Sequence, residues 1–523
     1  MLENFTFGLC LVIAIILIIM VANKFKIAYP ILLVIAGLMI GFIPSIPPVY
    51  IEPELILLIF LPPLLYEAAW AISWKELWRW RRIIGSFAFV VVFLTAMSVA
   101  FVANYFIPGF SLALGFLLGG IVSPPDAVSA GAILKFVKVP RTISSILEGE
   151  SLLNDASSLI IFRFALTAVA TGQFIWFEAA TNFTWMIIGG VTIGLLIALI
   201  FKNLHKYLPT DANMDIVLTI VAPYFMYILA EEAHSSGVLA VVSGGLYLSY
   251  HKHSFLSTAS RIRGGNVWES LCFVLNGLVF ILIGLSLPEI TAGLEGVRIS
   301  TAIGYGVMIT TVLIIGRILA AYGAVIVTLI ARNFITVADT SNPGIKGPLI
   351  LGWSGMRGVV SLAAALSIPV QLSDGTPFPQ RNLILFITFI VIFLTLTLQG
   401  LTLPILIRKL NVQSPPQTLS DDEIDVKLNQ HLSKIALDEL NENYKEHLEA
   451  SPILQQLAAK WQAGIDRNEI DMSTDIKEIY NMILQKQRDF LIKKNQEHEL
   501  LNEEIIRKQL HRIDMEEERL RLL

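Results

Sequence analysis

Seven ionisable side chains stand inside long apolar stretches of this chain: Glu67, Asp126, Glu150, Asp155, Arg163, Arg317 and Arg357. A lone charge in hydrocarbon costs at least about 2.5–3.5 kcal/mol, so each of these needs a partner or a task. The four acids and three bases are nearly balanced, and some must pair structurally. The question is which acid remains free. An unpaired carboxylate can hold a hard monovalent cation or a proton, but not both well at once. That competition is the least requirement for coupled exchange. An apolar setting favours the protonated form of a carboxyl, which moves the competition toward neutral pH.

Local geometry separates two of the acids. In Glu150-Ser151-Leu152-Leu153-Asn154-Asp155, helical spacing puts Ser151 and Asp155 on one face, and Glu150 and Asn154 on another. Glu150 and Asp155 then point about 140° apart, which argues against a shared partner. This reading gives Glu150 an arginine and leaves Asp155 facing a cavity. Asp126 belongs to an earlier segment and reaches Asp155 only if the two segments pack together.

The elements that must position these groups are membrane spans. Of 523 residues, 55% are hydrophobic and 15% charged, and the mean hydropathy is +0.68. A soluble fold cannot hide so much apolar surface, so lipid is the solvent. A span needs roughly 20 apolar residues. Thirteen are predicted, at 5–22, 27–43, 53–72, 83–105, 110–136, 142–170, 182–203, 213–232, 236–250, 267–287, 299–331, 346–370 and 382–408. Alternate loops hold 18 basic residues on one side (Lys24/Lys26, Lys75/Arg79/Arg81/Arg82, Lys135/Lys138/Arg141, Lys202/Lys206, Lys252/Arg261/Arg263, Arg332/Lys346, Arg408/Lys409) against 2 on the other, Arg298 and Arg381. The positive-inside rule then places the C-terminus in the cytoplasm. No Lys or Arg precedes the first span and Lys24 and Lys26 follow it, the pattern of a retained helix with its N-terminus outside. Residues 1–410 carry a formal charge of +4 and residues 411–523 one of −8, which divides a membrane domain from an acidic cytoplasmic tail.

Two spans look broken. One holds Ser123-Pro124-Pro125-Asp126 and the other Gly352-Trp353-Ser354-Gly355-Met356-Arg357-Gly358. Prolines remove backbone donors and clash with the preceding turn. Breaks at matching places in two halves, seven spans apart, suggest inverted repeats whose broken helices cross at mid-membrane with an ion site between them. Unwound backbone survives at that depth only where protein or water covers it. The plainer alternative is a pair of kinked packing helices, and the charge in each break argues against it.

These residues form a recognisable set. Glu148-Gly149-Glu150-Ser151-Leu152-Leu153-Asn154-Asp155-Ala156 resembles the cation-binding helix of the monovalent cation:proton antiporters, in their electroneutral sodium/proton exchanger branch of bacterial type. Leu61-Pro62-Pro63-Leu64-Leu65-Tyr66-Glu67, Ser123-Pro124-Pro125-Asp126, Ser236-Gly237-Val238-Leu239-Ala240, Gly316-Arg317 and Gly355-Met356-Arg357-Gly358 agree in order over residues 1–410. The resemblance implies an all-α membrane antiporter that exchanges Na+, with Li+ or K+ as alternatives, for H+, and that forms a homodimer. It implies that Asp155 and Asp126 hold the cation or proton, with Ser151 and Asn154 in support. Glu150 and Arg317 form a structural ion pair, Glu67 lies near the ion pathway, and Arg357 steadies the second break. Arg163 receives no transport role. Asn154 cannot titrate; if it stands where electrogenic relatives carry an aspartate, exchange is 1:1 and electroneutral. One departure stands out. Relatives commonly read Thr-Asp-Pro where this chain has Pro125-Asp126-Ala127, which leaves ligand count and ion preference open.

Two rival functions use the same residues. A cation channel would need the same breaks and acids. An intramembrane aspartyl protease would use Asp126 and Asp155, but the Gly-x-Gly-Asp pattern expected of it is absent. No cofactor and no nucleic-acid partner is expected. Cys10 and Cys272 both lie in apolar stretches, so no disulfide or cysteine metal site is expected. Trp70, Trp74, Trp78 and Trp80 read as an aromatic belt. His251 and His253 read as solvated loop residues, and Glu231, Glu232 and His234 as interface charges near the outer surface. In the tail, Ile424, Leu428, Leu432, Ile435 and Leu440 recur at helical spacing, as do Leu500, Ile505, Leu510 and Ile513 farther on, and a helical bundle or short coiled coil is expected.

Overall fold

The computed structural model describes residues 2–43, 53–137, 139–172, 176–294, 297–331, 344–372, 375–412, 421–466, 474–497, 509–510 and 512–517. Lys138, Arg332, Leu500 and Ile505 lie outside them, as do the side chains of Arg141 and Ile424. Two compact units divide the chain, Met1–Ser414 and Pro415–Leu523.

The first unit is helical among the described residues. Its elements are α1 (Leu2–Phe25), α2 (Tyr29–Gly41), α3 (Pro53–Ala71), α4 (Trp74–Gly85), α5 (Val92–Phe106), α6 (Leu112–Val122), α7 (Ala127–Leu134), α8 (Arg141–Thr171) and α9 (Trp176–Tyr207). There follow α10 (Ala212–Glu232), α11 (Gly237–Phe255), α12 (Thr258–Leu285), α13 (Leu287–Ala292), α14 (Ile299–Ala331), α15 (Lys346–Trp353), α16 (Val359–Leu366), α17 (Arg381–Leu394) and α18 (Gly400–Leu410). Nine helices among the described residues are long and apolar enough to cross a membrane, and Tyr29–Gly41 and Leu57–Ala71 are shorter apolar helices. Large apolar side chains such as Ile13, Met20, Ile188, Leu319 and Val327 stay exposed, as helices solvated by lipid require.

Each expected span contains helix, with differences at the edges. The span expected from residue 83 begins at Trp74, because the amphipathic α4 runs through a π-helical turn, Ser86–Val91, into α5. A second π-helical turn, Thr395–Gln399, joins α17 to α18. The structure does not bear out the aromatic-belt reading for all of its set. Trp74 and Trp78 are exposed and stacked on one another, but Trp80 is buried and donates to Glu76 Oε2 at 3.0 Å. Trp70 turns inward too, its indole N–H enclosed beside Tyr66. The amphipathic period of α4 sends Trp80 to the protein side while Trp78 faces out.

Small residues let the central helices approach. Gly115 and Gly119 on α6 lie against the backbone of Ala100 and Ala96 on α5, where a Cβ would come within 2.6 and 2.4 Å of their carbonyl oxygens. On the opposite flank α6 packs along α8, with Gly120 against the backbone of Phe162. This sandwich carries the first break, between α6 and α7. The second break, between α15 and α16, is held by α14, α17 and α3.

The second unit contains α19 (Asp421–Asn443), α20 (Lys445–Ala450), α21 (Pro452–Asp466) and α22 (Thr474–Glu497). Its helices bury only part of the apolar set that recurs at helical spacing. Leu428, Leu432 and Ile435 are exposed, whereas Leu437 and Leu440 are buried. α19 packs on α21, with Ser433 close against Gly464 and Gln430 Nε2 donating to Ile465 O at 3.3 Å. Ile513 packs with Leu484, Tyr480 and Leu491, and Arg488 bridges to Asp514 at 2.8 Å and to Glu517 at 2.6 Å.

Candidate functional site

The first break ends a helix and starts another. α6 stops at Val122, leaving its last carbonyls without intrahelical donors. The Arg357 guanidinium supplies them: Nε donates to Val122 O at 2.7 Å and Nη2 to Ser123 O at 3.2 Å. Nη1 donates within its own loop, to Gly355 O. A cation therefore sits at the negative end of the α6 half-helix. Arg357 is 1% exposed, so this charge is committed to the backbone. Its own N–H is taken by Thr395 Oγ1 at 3.1 Å, from the second π-helical turn.

Asp126 occupies the opposite pole. It is the N-cap of α7, its Oδ1 accepting Val128 N–H at 2.9 Å and its Oδ2 accepting Ser129 N–H at 3.3 Å. The Ser129 hydroxyl donates to the same Oδ2 at 2.5 Å. Its backbone N–H donates to Met356 O at 2.8 Å, so the two unwound segments touch directly. Gly358 makes that approach feasible, since a Cβ there would fall 2.0 Å from Asp126 Oδ2.

Helix α8 closes the site from the side. Asn154, fully buried, donates through Nδ2 to Pro125 O at 3.0 Å, and its Oδ1 has no partner among the described residues. Ser151 Oγ accepts Ala127 N–H at 3.1 Å. Both side chains thus hold the unwound segment against α8. Asp155, one turn beyond Ser151, is 7% exposed, and its carboxylate makes no hydrogen bond or ion pair among the described residues. Asp126 lies within its electrostatic reach.

Glu150 points elsewhere. Its carboxylate takes Arg317 Nη1 at 2.7 Å and Nη2 at 2.8 Å, with the two residues 0% and 2% exposed. This two-pronged pair joins α8 to α14. Arg317 threads past Gly355, where a Cβ would come within 2.1 Å of its Cδ. Glu67, on α3, is half-buried and has no hydrogen bond among the described residues; the charges acting on it are Glu269 and Lys135. It is not in hydrogen-bond contact with either aspartate.

Two groups at or near the site, Ser129 and Thr395, were not singled out from the sequence, and a third, Arg163, was singled out without its partner. Ser129 stands three residues after a capping aspartate, the position whose amide a cap meets, and that spacing could have marked it. Thr395 lies in an unbroken apolar run with no local signal. Arg163, which belongs to the same helix as Asp155, pairs with Glu231 on α10, and Glu231 also accepts Gly237 N–H at 3.0 Å. Nothing in the spacing of residues 163 and 231 announces that contact.

A helical membrane body in which two broken helices meet over buried carboxyls is an architecture found in secondary ion transporters. Residues 11–409 match the family model for the transmembrane domain of sodium/hydrogen exchangers, and the chain belongs to that family. It is a family of cation/proton transporters, not enzymes; protease chemistry is set aside, and a channel is not favoured. The chain is 33% identical over 404 residues to a sodium, potassium, lithium and rubidium/H+ antiporter of Bacillus pumilus, covering 75% of this chain and 60% of the relative. It is 34% identical over 401 residues to the protein of the same name from Bacillus subtilis, covering 74% and 59%. It therefore spans only about three fifths of those two proteins. The Na+/H+ antiporter ApNhaP of Aphanothece halophytica is 34% identical over 392 residues, 74% of this chain and 70% of that one. The solved structure of the sodium/proton antiporter MjNhaP1 from Methanocaldococcus jannaschii shares the fold, with a TM-score of 0.62 at 19% identity, over 78% of this chain and 99% of that one.

Proposed function

We propose that this protein exchanges a monovalent cation, Na+ first, with Li+ and K+ as further candidates, for H+, one for one and without net charge movement, in pH and salt homeostasis. Asp155 is the exchanging group. Asp126 lends a second carboxylate, and Ser151 and Asn154 hold the unwound segment in place. The observation that carries this reading is the Asp155 carboxylate, buried yet unpartnered among the described residues, beside Asp126 where the broken helices meet. The names of the relatives point the same way. Glu150 is excluded from exchange by its two-pronged bond to Arg317. Glu67 flanks the cation pathway.

Residues 1–410 form the transport domain with thirteen crossings, and residues 411–523 a cytoplasmic helical tail. The N-terminus is outside and the body lies in the cell membrane as a homodimer. The loop charges support the orientation. Cation-dependent dissipation of a pH gradient in proteoliposomes, with the salt varied and voltage clamped, tests the activity. Saturable, gradient-driven flux is expected; single-channel current would replace this reading with a channel.

A further inference from the structure

We propose that Ser129 limits how much of Asp126 a cation can use, and so acts as a specificity-determining residue. The inference rests on the exchange reading above. A carboxylate offers about four lone-pair positions. On Asp126, Oδ2 already accepts both the N–H and the O–H of Ser129, at 3.3 and 2.5 Å, and Oδ1 accepts Val128 N–H at 2.9 Å. The two amide bonds suffice for an N-cap. The hydroxyl bond is additional, and it occupies the position on Oδ2 that a bidentate cation would take. Asp155 is the opposite case, with no hydrogen bond to its carboxylate among the described residues.

A second contact works in the same direction. Ala127 N–H donates to Ser151 Oγ at 3.1 Å, which engages a hydroxyl oxygen that faces the same side of α8 as Asp155. Proline at this position would have no N–H to give. Pro125-Asp126-Ala127 with Ser129 therefore leaves the cation Asp155 in full, one oxygen of Asp126, the Oδ1 of Asn154, unpartnered among the described residues, and a partly occupied Ser151. A small cation costs more to strip of water than a large one, because its charge lies closer to its ligands. A site short of free oxygens therefore penalises Na+ and Li+ more than K+.

The test uses the full chain in proteoliposomes, with apparent KM for Na+ and for K+ read at alkaline pH, where protons compete least. Ser129→Ala is expected to lower the KM for Na+ about tenfold, equivalent to about 1.4 kcal/mol, and to change the KM for K+ less. Ser129→Thr, which restores the hydroxyl, is expected to reverse the shift. Ala127→Pro is expected to lower the Na+ KM as well; the ψ of 116° at Asp126 suits a following proline. An unmoved or raised Na+ KM in Ser129→Ala overturns the proposal. So does loss of exchange in Ser129→Ala with recovery in Ser129→Thr, since the hydroxyl would then build the site rather than compete for it. Asp155→Asn assayed in parallel separates two failures. Flux retained there would refute the exchange reading itself, whereas an inactive Asp155→Asn beside an unmoved Ser129→Ala refutes this inference alone.

Discussion

Replacing Glu150 with Gln would leave a guanidinium buried with half its bonds lost. Arg317 is 2% exposed and gives Nη1 and Nη2 to Glu150, and its Nε has no partner among the described residues. Also near it are the Phe87 ring, 5.9 Å away, and the equally charged Arg357 across Gly355. Glutamine supplies one acceptor oxygen where two stood, and no charge. Removing one partner of a buried ion pair costs about 3–5 kcal/mol. With about 2.1 cal/mol/K per residue of unfolding entropy, that lowers the melting temperature of a unit the size of Met1–Ser414 by about 3–6 °C. Asp155→Asn is the comparison, because it removes a charge that no neighbour balances and should hold or raise the melting temperature. The assay is thermal melting of both purified variants in one detergent. If Glu150→Gln melts at or above Asp155→Asn, the division of labour between these two acids is wrong.

Two further substitutions probe the crossing. Gly358→Ala places a Cβ 2.0 Å from Asp126 Oδ2 and must displace the cap of α7; overpacking costs about 1–3 kcal/mol, so the protein should still be recovered folded while exchange falls steeply, and parent-level flux would show that Asp126 tolerates movement. Asn154→Asp removes the donor to Pro125 O, and only the protonated form of the introduced carboxyl can donate again. Its melting temperature should fall as pH rises, because the protonated form favours folding; a pH-independent melt equal to the parent would show that this bond does not hold the break.

The sequence disclosed the breaks and the opposed acids of the candidate site more fully than the way its parts are held. The opposed faces of Glu150 and Asp155 follow from helical spacing alone, and the structure separates them as expected, one bonded to Arg317 and the other free among the described residues. Pro124-Pro125 and the glycines around Arg357 marked both breaks, because proline and glycine act on the backbone locally. What stayed hidden depends on contacts between distant segments. Arg357 serves carbonyls more than 230 residues away. Thr395 reaches Arg357 from a π-helical turn that no residue pattern announces. Arg163 meets Glu231 across 68 residues. In the tail, hydrophobic spacing identified helices but not their inner faces: Leu437 and Leu440 are buried, whereas Leu428, Leu432 and Ile435 are exposed.

The central claim is that one free carboxyl alternates between cation and proton. Asp155→Asn, confirmed as folded by its melting curve, should be reconstituted and assayed for Na+-driven dissipation of a pH gradient at clamped voltage. No cation-dependent proton movement above protein-free vesicles is the expected result. Proton-coupled Na+ flux near that of the parent protein would contradict the account, since the charge on which both ions must compete would be gone.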